Sequence, residues 1–268
     1  MNAATVATID ARLASVASEQ QVAIPLAIES GSRAWGFPSP DSDYDCRFIY
    51  VRKRDDYLSL FPQRDVIETP LEGEFDVNGW DIAKALKLLL KGNAVVIEWL
   101  TSPIIYGADK QFRADFQTLA ARLADRELIA RHYLHLGERQ RRAYFADGTR
   151  IALKKVFYAL RPAAALRWLR CHPADAVAPM HFPTLMHGCE APTDVLTLVD
   201  DLIARKAVTH ELGHGELPPT IAAFIDAEFA AARDAFDSGP RPANPAARTE
   251  AQSFFHAVLE RFGNQQSP

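Results

Sequence analysis

The chain has little cysteine, no long apolar run and no strong excess of either charge. Three cysteines among 268 residues, without paired spacing, argue against a disulfide framework and fit a reducing compartment. No stretch of about 18 consecutive apolar residues occurs, so no membrane span is expected. Residues 1–21 lack a basic segment followed by an apolar one and do not read as a signal peptide. There is no internal repeat and no low-complexity tract. The expectation is a cytoplasmic globular protein with no membrane partner, long enough for one large or two ordinary domains.

The net charge of −4 is unevenly spread. Residues 1–110 carry 16 acidic and 11 basic side chains, residues 111–170 carry 5 and 13, and residues 171–268 carry 13 and 6. An acidic first part and a basic middle suit metal ions in one place and phosphates in the other, although solvated helix faces produce the same pattern. No stretch is basic enough to indicate nucleic-acid binding by itself.

Strand and helix signals alternate up to about residue 108 and then give way to helices. Ala4–Ser18 reads as a helix with Val6, Ile9, Leu13 and Val16 on one face. Val22–Ile28 reads as a buried strand, broken by a Gly31-Ser32 turn. Arg47–Arg52 reads as a second strand, Val66–Thr69 as a short one and Glu74–Trp80 as a third. Asp81 is placed to cap a helix over 81–91 that ends at Gly92-Asn93. A further helix begins at Val95 and is closed by Pro103. Beyond Lys110, residues 112–136, 138–145, 151–170, 194–208, 219–236 and 248–262 read as helices, with loops at 172–193 and 238–245. The expected fold class is α+β: a mixed-sheet domain over 1–108 and an all-helical domain over 109–268.

Two carboxylates head the second strand. Residues i and i+2 on a strand share a face, so Asp43 and Asp45 project side by side, about 7 Å apart. Like charges that close repel unless something positive sits between them. A divalent cation meets that need, and Mg²⁺ takes one or two carboxylates together with phosphate oxygens. Asp76, on a strand paired with the second, supplies a third carboxylate. Three such groups can hold two metal ions, one for an incoming oxygen nucleophile and one for a triphosphate. Gly31 allows backbone N–H groups close to phosphate oxygens, Ser32 adds a hydroxyl donor and Arg33 a charged one. Taken singly, each of these features also reads as an ordinary turn.

Gly31-Ser32, then Asp43-Tyr44-Asp45, then Asp76 on a later strand resemble the signature of the polymerase-β-like nucleotidyltransferases. Longer strings narrow the resemblance: Glu29 to Gly36, Asp76 to Asp81, Asn93 with Glu98 to Pro103, and Phe157 to Pro162. These are similar to a bacterial and phage subfamily linked to RNA repair by genomic neighbourhood. The resemblance covers most of residues 20–170 and the last hundred only loosely. It implies a mixed-sheet catalytic domain closed by a helical one. It also implies transfer of a nucleoside monophosphate from an NTP to a hydroxyl acceptor, dependent on Mg²⁺ or Mn²⁺, with release of pyrophosphate. By position, Gly31 and Ser32 would bind the triphosphate, and Asp43, Asp45 and Asp76 the metals. Asp76 would also be the general base, leaving Asp81 as the helix cap. Lys154, Lys155 and Arg161 are expected on one helix; Lys154 and Arg161, seven apart with Tyr158 between them, would hold the triphosphate tail and stack on a base, the alternative being a solvated basic stripe. The acceptor stays open among an RNA end, a protein hydroxyl and a small molecule.

Two other readings compete. A protein of this fold can bind a nucleotide or a partner without turnover. His210-Glu211-Leu212-Gly213-His214 matches the H-E-x-x-H zinc-protease pattern, but Gly213, Gly215 and Pro218-Pro219 oppose a helix there. Cys171, His172, His181, His187 and Cys189 crowd one loop without regular zinc spacing.

Overall fold

The computed structural model describes residues 2–145, 150–209, 213–236, 239 and 244–264. Helix α1 (Ala3–Glu19) is capped by Asn2 and buries Ile9, Leu13 and Val16, the stripe a 3.6-residue period dictates. Strand β1 (Ala23–Glu29) leads into α2 (Gly31–Trp35), a single helical turn. Strand β2 (Tyr44–Val51), short β3 (Val66–Glu68) and β4 (Phe75–Asp81) follow. Next come α3 (Ile82–Leu89), α4 (Ala94–Thr101) and β5 (Ile105–Ala108). The sheet order is β3-β4-β2-β1-β5. Strands β2 and β4 run parallel, and their neighbours are antiparallel.

The two faces of this sheet bury different partners. Cys46, Phe48 and Tyr50 on β2 join Ala27 and Val77 beneath the apolar stripe of α1. The alternate residues Ile49 and Val51, with Leu26 and Ile28 of β1, face α3, α4 and the helices of the second half. Asp45 and Arg47 share parity with Ile49 and Val51, so they face the helical half at the N-terminal end of β2.

The second half comprises α5 (Lys110–Leu123), α6 (Arg126–Phe145), α7 (Val156–Cys171), α8 (Phe182–Gly188), α9 (Thr193–Val208), α10 (Pro219–Phe236) and α11 (Pro245–Phe262). Between them β6 (Arg150–Ala152) pairs with β7 (His214–Glu216) as a two-stranded ribbon. Helix α7 is buried on nearly all sides between α6 and α10. One buried cluster runs from Leu26 on β1 to Phe262 on α11 without parting near residue 108. Among the described residues, no helix is long and apolar enough to cross a membrane.

Several elements differ from the sequence expectation. Strand β5 was not expected. It is a mostly exposed edge strand, so it lacks the alternation that marks a half-buried one. The helix expected over 112–136 breaks at Ala124, where the Asp125 carboxylate accepts the N–H groups of Glu127 and Leu128 and starts α6. The helix expected from Ile151 begins only at Val156. Residues 150–152 pair with β7, and Leu153–Lys155 form a 3₁₀ turn. The loop expected over 172–193 contains α8, with Pro183 in its first turn. His214 lies on β7, not on a helix, while His210 and Glu211 fall outside the described residues.

Candidate active site

The cleft is assembled where β1 ends and β2 begins. Gly31 adopts φ +61°, a left-handed conformation that favours glycine, and a Cβ there would lie 1.8 Å from Asp45 Oδ2. The carboxylate thus occupies the space a side chain would need. Ser30 N–H donates to the Asp45 carbonyl at 2.8 Å and ties the turn to β2. Ser42 Oγ accepts from Ser39 N–H at 2.8 Å and lies 3.0 Å from Ser32 Oγ, which closes the loop that presents Asp43.

Strands β2 and β4 pair in parallel with Asp45 opposite Asp76, which brings the second and third carboxylates to one edge of the cleft. Arg47 stands between them. Its Nη2 lies 3.1 Å from Asp45 Oδ1 and 2.6 Å from Asp76 Oδ2, and its Nη1 donates to the Asp76 carbonyl at 2.8 Å. Asn78 donates to the other Asp76 oxygen. Burial, with the Asp76 and Asp43 charges adding to it, raises the Asp45 pKa against the pull of Arg47.

Behind Asp45, on the α1 side of the sheet, Glu29 is fully buried. It accepts the Asp45 N–H at 3.0 Å and the Tyr106 hydroxyl. Desolvation pushes its pKa up to about 7 against the lowering effect of those hydrogen bonds.

The opposite wall comes from the helical half. Lys154, Lys155, Tyr158 and Lys206 line a cavity of about 380 Å³ together with Gly31, Ser32, Asp43, Asp45 and Arg47. Lys155 Nζ lies 4.4 Å and 4.8 Å from the ring centres of Tyr144 and Tyr158. The Tyr158 pKa is raised by burial and by the Asp45 and Asp43 charges across the cleft. A larger groove of about 850 Å³ lies between α3, α11 and the α5–α6 turn, beyond the far end of β4. It contains none of the expected site residues.

Of the residues expected from the sequence, Gly31, Ser32, Asp43, Asp45, Lys154 and Tyr158 line the cleft, and Asp76 borders it through Arg47. Arg33 does not line it. Its guanidinium donates to the Ser42 and Asp43 carbonyls and stacks 3.8 Å from the centre of the Tyr44 ring, bracing the acidic loop from outside. Arg161 does not line it either. It is buried, paired at 2.6 Å with Glu98 Oε1 and set 4.4 Å from the centre of the Trp35 ring. Lys154 is on the 3₁₀ turn and not on the helix that carries Arg161, so the expected seven-residue face does not form.

Arg47, Glu29 and Lys206 were not expected. Arg47 had a signal, since it stands two residues beyond Asp45 on the same strand face. Lys206 had one as well: with Val195, Val199 and Leu202 it completes the buried stripe of α9, where a charge is out of place. Asp81 caps α3 through the Ala83 N–H, as expected.

The donor set fits a hard divalent ion in one respect. Asp45 and Asp76 each direct an oxygen at a single cationic nitrogen of Arg47, so two carboxylates converge on one positive centre. Among the described residues, no three His, Cys, Asp or Glu side chains are grouped as a ready-made metal cage. That covers the described members of both His/Cys clusters. Cys189 is buried, His172 stacks on Trp168, and His181 bonds to Thr184.

A family model described as the RNA repair pathway DNA polymerase beta family matches residues 6–257. The uncharacterized protein YcgL of Bacillus subtilis (strain 168) is 38% identical over 208 residues, which are 78% of this chain and 79% of that protein. A crystal structure of a nucleotidyltransferase-like protein from Exiguobacterium sibiricum 255-15 aligns with 89% of this chain and 84% of its own, at 10% identity and a TM-score of 0.34. That last likeness is too distant to bear on function.

Proposed function

Because the chain belongs to the RNA repair pathway DNA polymerase beta family, we propose that it is a nucleotidyltransferase that moves a nucleoside monophosphate from an NTP to a hydroxyl, with an RNA end as the favoured acceptor. The observation that carries the reading is the register of β2 and β4, which sets Asp45 opposite Asp76 beside the Gly31 turn. The acceptor oxygen bonds to the α-phosphorus, the bond from that phosphorus to the bridging oxygen of the β-phosphate breaks, and pyrophosphate leaves with the electron pair. Asp43, Asp45 and Asp76 would hold Mg²⁺ or Mn²⁺, which when bound stabilises the charge on the phosphates and on the attacking and leaving oxygens. Gly31 and Ser32 offer hydrogen-bond donors to the phosphates at the turn. Lys154 and Lys155 add positive charge on the facing wall, and Tyr158 offers a ring for a base.

Asp76 takes the acceptor's proton in this reading. Both its oxygens are engaged, one by Arg47 and one by Asn78. Each oxygen accepts one of these hydrogen bonds and keeps a second lone pair, so Asp76 can receive the acceptor's proton with both partners in place.

The test is incubation with each α-labelled NTP and Mg²⁺ or Mn²⁺, offering RNA, protein and small-molecule acceptors. Label transfer with pyrophosphate release is expected, lost by at least about a thousandfold in Asp45→Asn with the fold unchanged by circular dichroism. Equal transfer by the variant, or none by the wild type, overturns the reading. The alternative of binding without turnover draws on Arg47, which already neutralises the acid pair. Calorimetric binding of ATP with Mg²⁺ but no pyrophosphate release would favour it.

A further inference from the structure

The groove between α3, α11 and the α5–α6 turn shares no residue with the cleft. Helix α3 presents Ala83, Leu86, Lys87 and Leu90 to it, one face at i, i+3, i+4, i+7, and α11 answers at the same spacing from Arg248 to Phe255. The two helices run in opposite senses along it. At one end Tyr57 donates to Asp81, the cap of α3, at 3.0 Å and meets the Phe255 ring edge-on at 5.2 Å. At the other, Gly92 lies so close to the start of α6 that a Cβ would stand 2.3 Å from Leu128 Cβ. Glu250, near the α11 N-terminus, pairs there with Arg122 of α5 at 3.0 Å.

This second end is cationic. Lys87 and Lys91, four apart, repel one another, and Arg248 adds a third charge. All three are exposed, and none pairs with a carboxylate among the described residues. Neighbouring charges are matched: Lys84 pairs with Asp65 at 3.0 Å, and Glu250 with Arg122. Asp125, which also lines the groove, caps α6 by accepting the Glu127 and Leu128 N–H groups at 3.0 and 3.1 Å. Arg248 stands near the N-terminus of α11, where the helix dipole opposes a cation, and the first turn of α11 holds no acid to offset it. Ala251 and Phe255 carry the α11 wall away from these charges into apolar surroundings. Seven residues separate Arg248 from Phe255, about 10 Å along the helix.

A groove of about 850 Å³, apolar at one end and cationic at the other, has the size and polarity for a small amphipathic anion. We propose that it binds an acyl carboxylate, with the head group on Arg248, Lys87 and Lys91 and the chain laid toward Phe255. The head group supplies the negative charge that these three side chains lack, and the chain covers the half-buried Leu90 and Phe255. The site holds none of the cleft residues, so it stands apart from nucleotide transfer. The competing reading is a bare apolar face that takes any apolar group, or a second copy of the chain.

Calorimetry on the full chain with decanoate, decanol and decyltrimethylammonium, each below its micelle-forming concentration, reads the charge preference. Decanoate is expected to bind once per chain and at least about tenfold more tightly than either of the others. Arg248→Gln is expected to bring decanoate close to the affinity of decanol while leaving decanol unchanged. Arg248→Lys, which keeps the charge, is expected to recover most of the loss. Ala251→Leu fills the apolar end and is expected to weaken decanoate and decanol alike. Equal affinity for the three probes overturns the proposal, as does a wild type that binds no decanoate or an Arg248→Gln variant that binds it unchanged. If Ala251→Leu fails to fold, Arg248→Gln decides from its exposed position. Light scattering tests the other occupant: a wild-type dimer that dissociates in Arg248→Glu assigns the groove to a second copy and overturns the proposal.

Discussion

Glu29 carries its carboxyl into the layer between the sheet and α1, where the Tyr106 hydroxyl and the Asp45 N–H donate to it. Its pKa rises from an ordinary value of 4.5 to about 7. The folded protein therefore keeps this proton where the unfolded chain has lost it. The stabilisation is complete below about pH 4.5 and is lost as the pH rises through 7. Glu29→Gln keeps a neutral side chain of the same shape and removes this dependence. Urea unfolding at about pH 5, 6, 7 and 8 should show wild-type stability falling relative to the variant by on the order of 1–3 kcal/mol. Curves that stay parallel would mean that Glu29 ionises in the folded state as it does in the unfolded one. The residue belongs to the Glu29–Gly36 string, yet nothing in that string marks it as the support of Asp45. The link is a hydrogen bond between strands 16 residues apart, which only the pairing of β1 with β2 creates.

At the scale of elements, α2, α4, α6 and α7 meet around one buried ion pair. Glu98 Oε1 of α4 accepts from Arg161 of α7 at 2.6 Å and from the Tyr133 hydroxyl of α6 at 3.0 Å, while Arg161 faces the Trp35 ring of α2. Glu98→Leu leaves Arg161 charged and buried without its partner. That should cost about 3–5 kcal/mol, whereas the double variant Glu98→Leu with Arg161→Met recovers much of the loss. Chemical denaturation of the two single variants and the double gives the coupling, and additive losses would contradict it. Glu98 and Arg161 were both visible in the sequence as parts of separate strings. Their meeting was not, because a motif records which residues occur and not which helix faces cross. Arg161 was read as a cleft residue for that reason. Local signals did better where a period sufficed. Asp81 was legible as a cap, whereas Asp43, expected beside Asp45 on the strand, lies in the loop before β2 and shares only the cleft with it. Local signals failed at β6, where pairing with a strand about 60 residues away overrides the helical propensity of Ile151–Lys155.

For the whole molecule, the expected boundary near residue 108 falls at the end of β5, but the core does not part there. Helix α4 packs on α5 and α6, and α3 packs on α11. Residues 1–108 alone would expose Leu86, Leu89, Val96, Trp99 and Leu100, all buried in the shared cluster. That fragment should show no sharp thermal transition, while the full chain unfolds with circular dichroism and tryptophan fluorescence moving together. A cooperative transition in the fragment would establish two independent folding units. The same continuity explains why the sheet half of the site was more legible than the helical half. The acidic wall is built within about 50 residues along the chain, and the basic wall needs α7 and α9 brought back over it.

Gly31 and Asp45 share one volume, since the carboxylate fills the space where a methyl group would stand. That sharing gives the lineage a direction. A descendant that loses the acid frees room for a side chain at position 31, constrained then only by the left-handed backbone. Once the room is taken, restoring Asp45 alone no longer rebuilds the site, because position 31 must also return to glycine. Loss of the chemistry is one mutational step, and recovery is two, with an intermediate that gains nothing. Drift at this corner of the fold works as a ratchet.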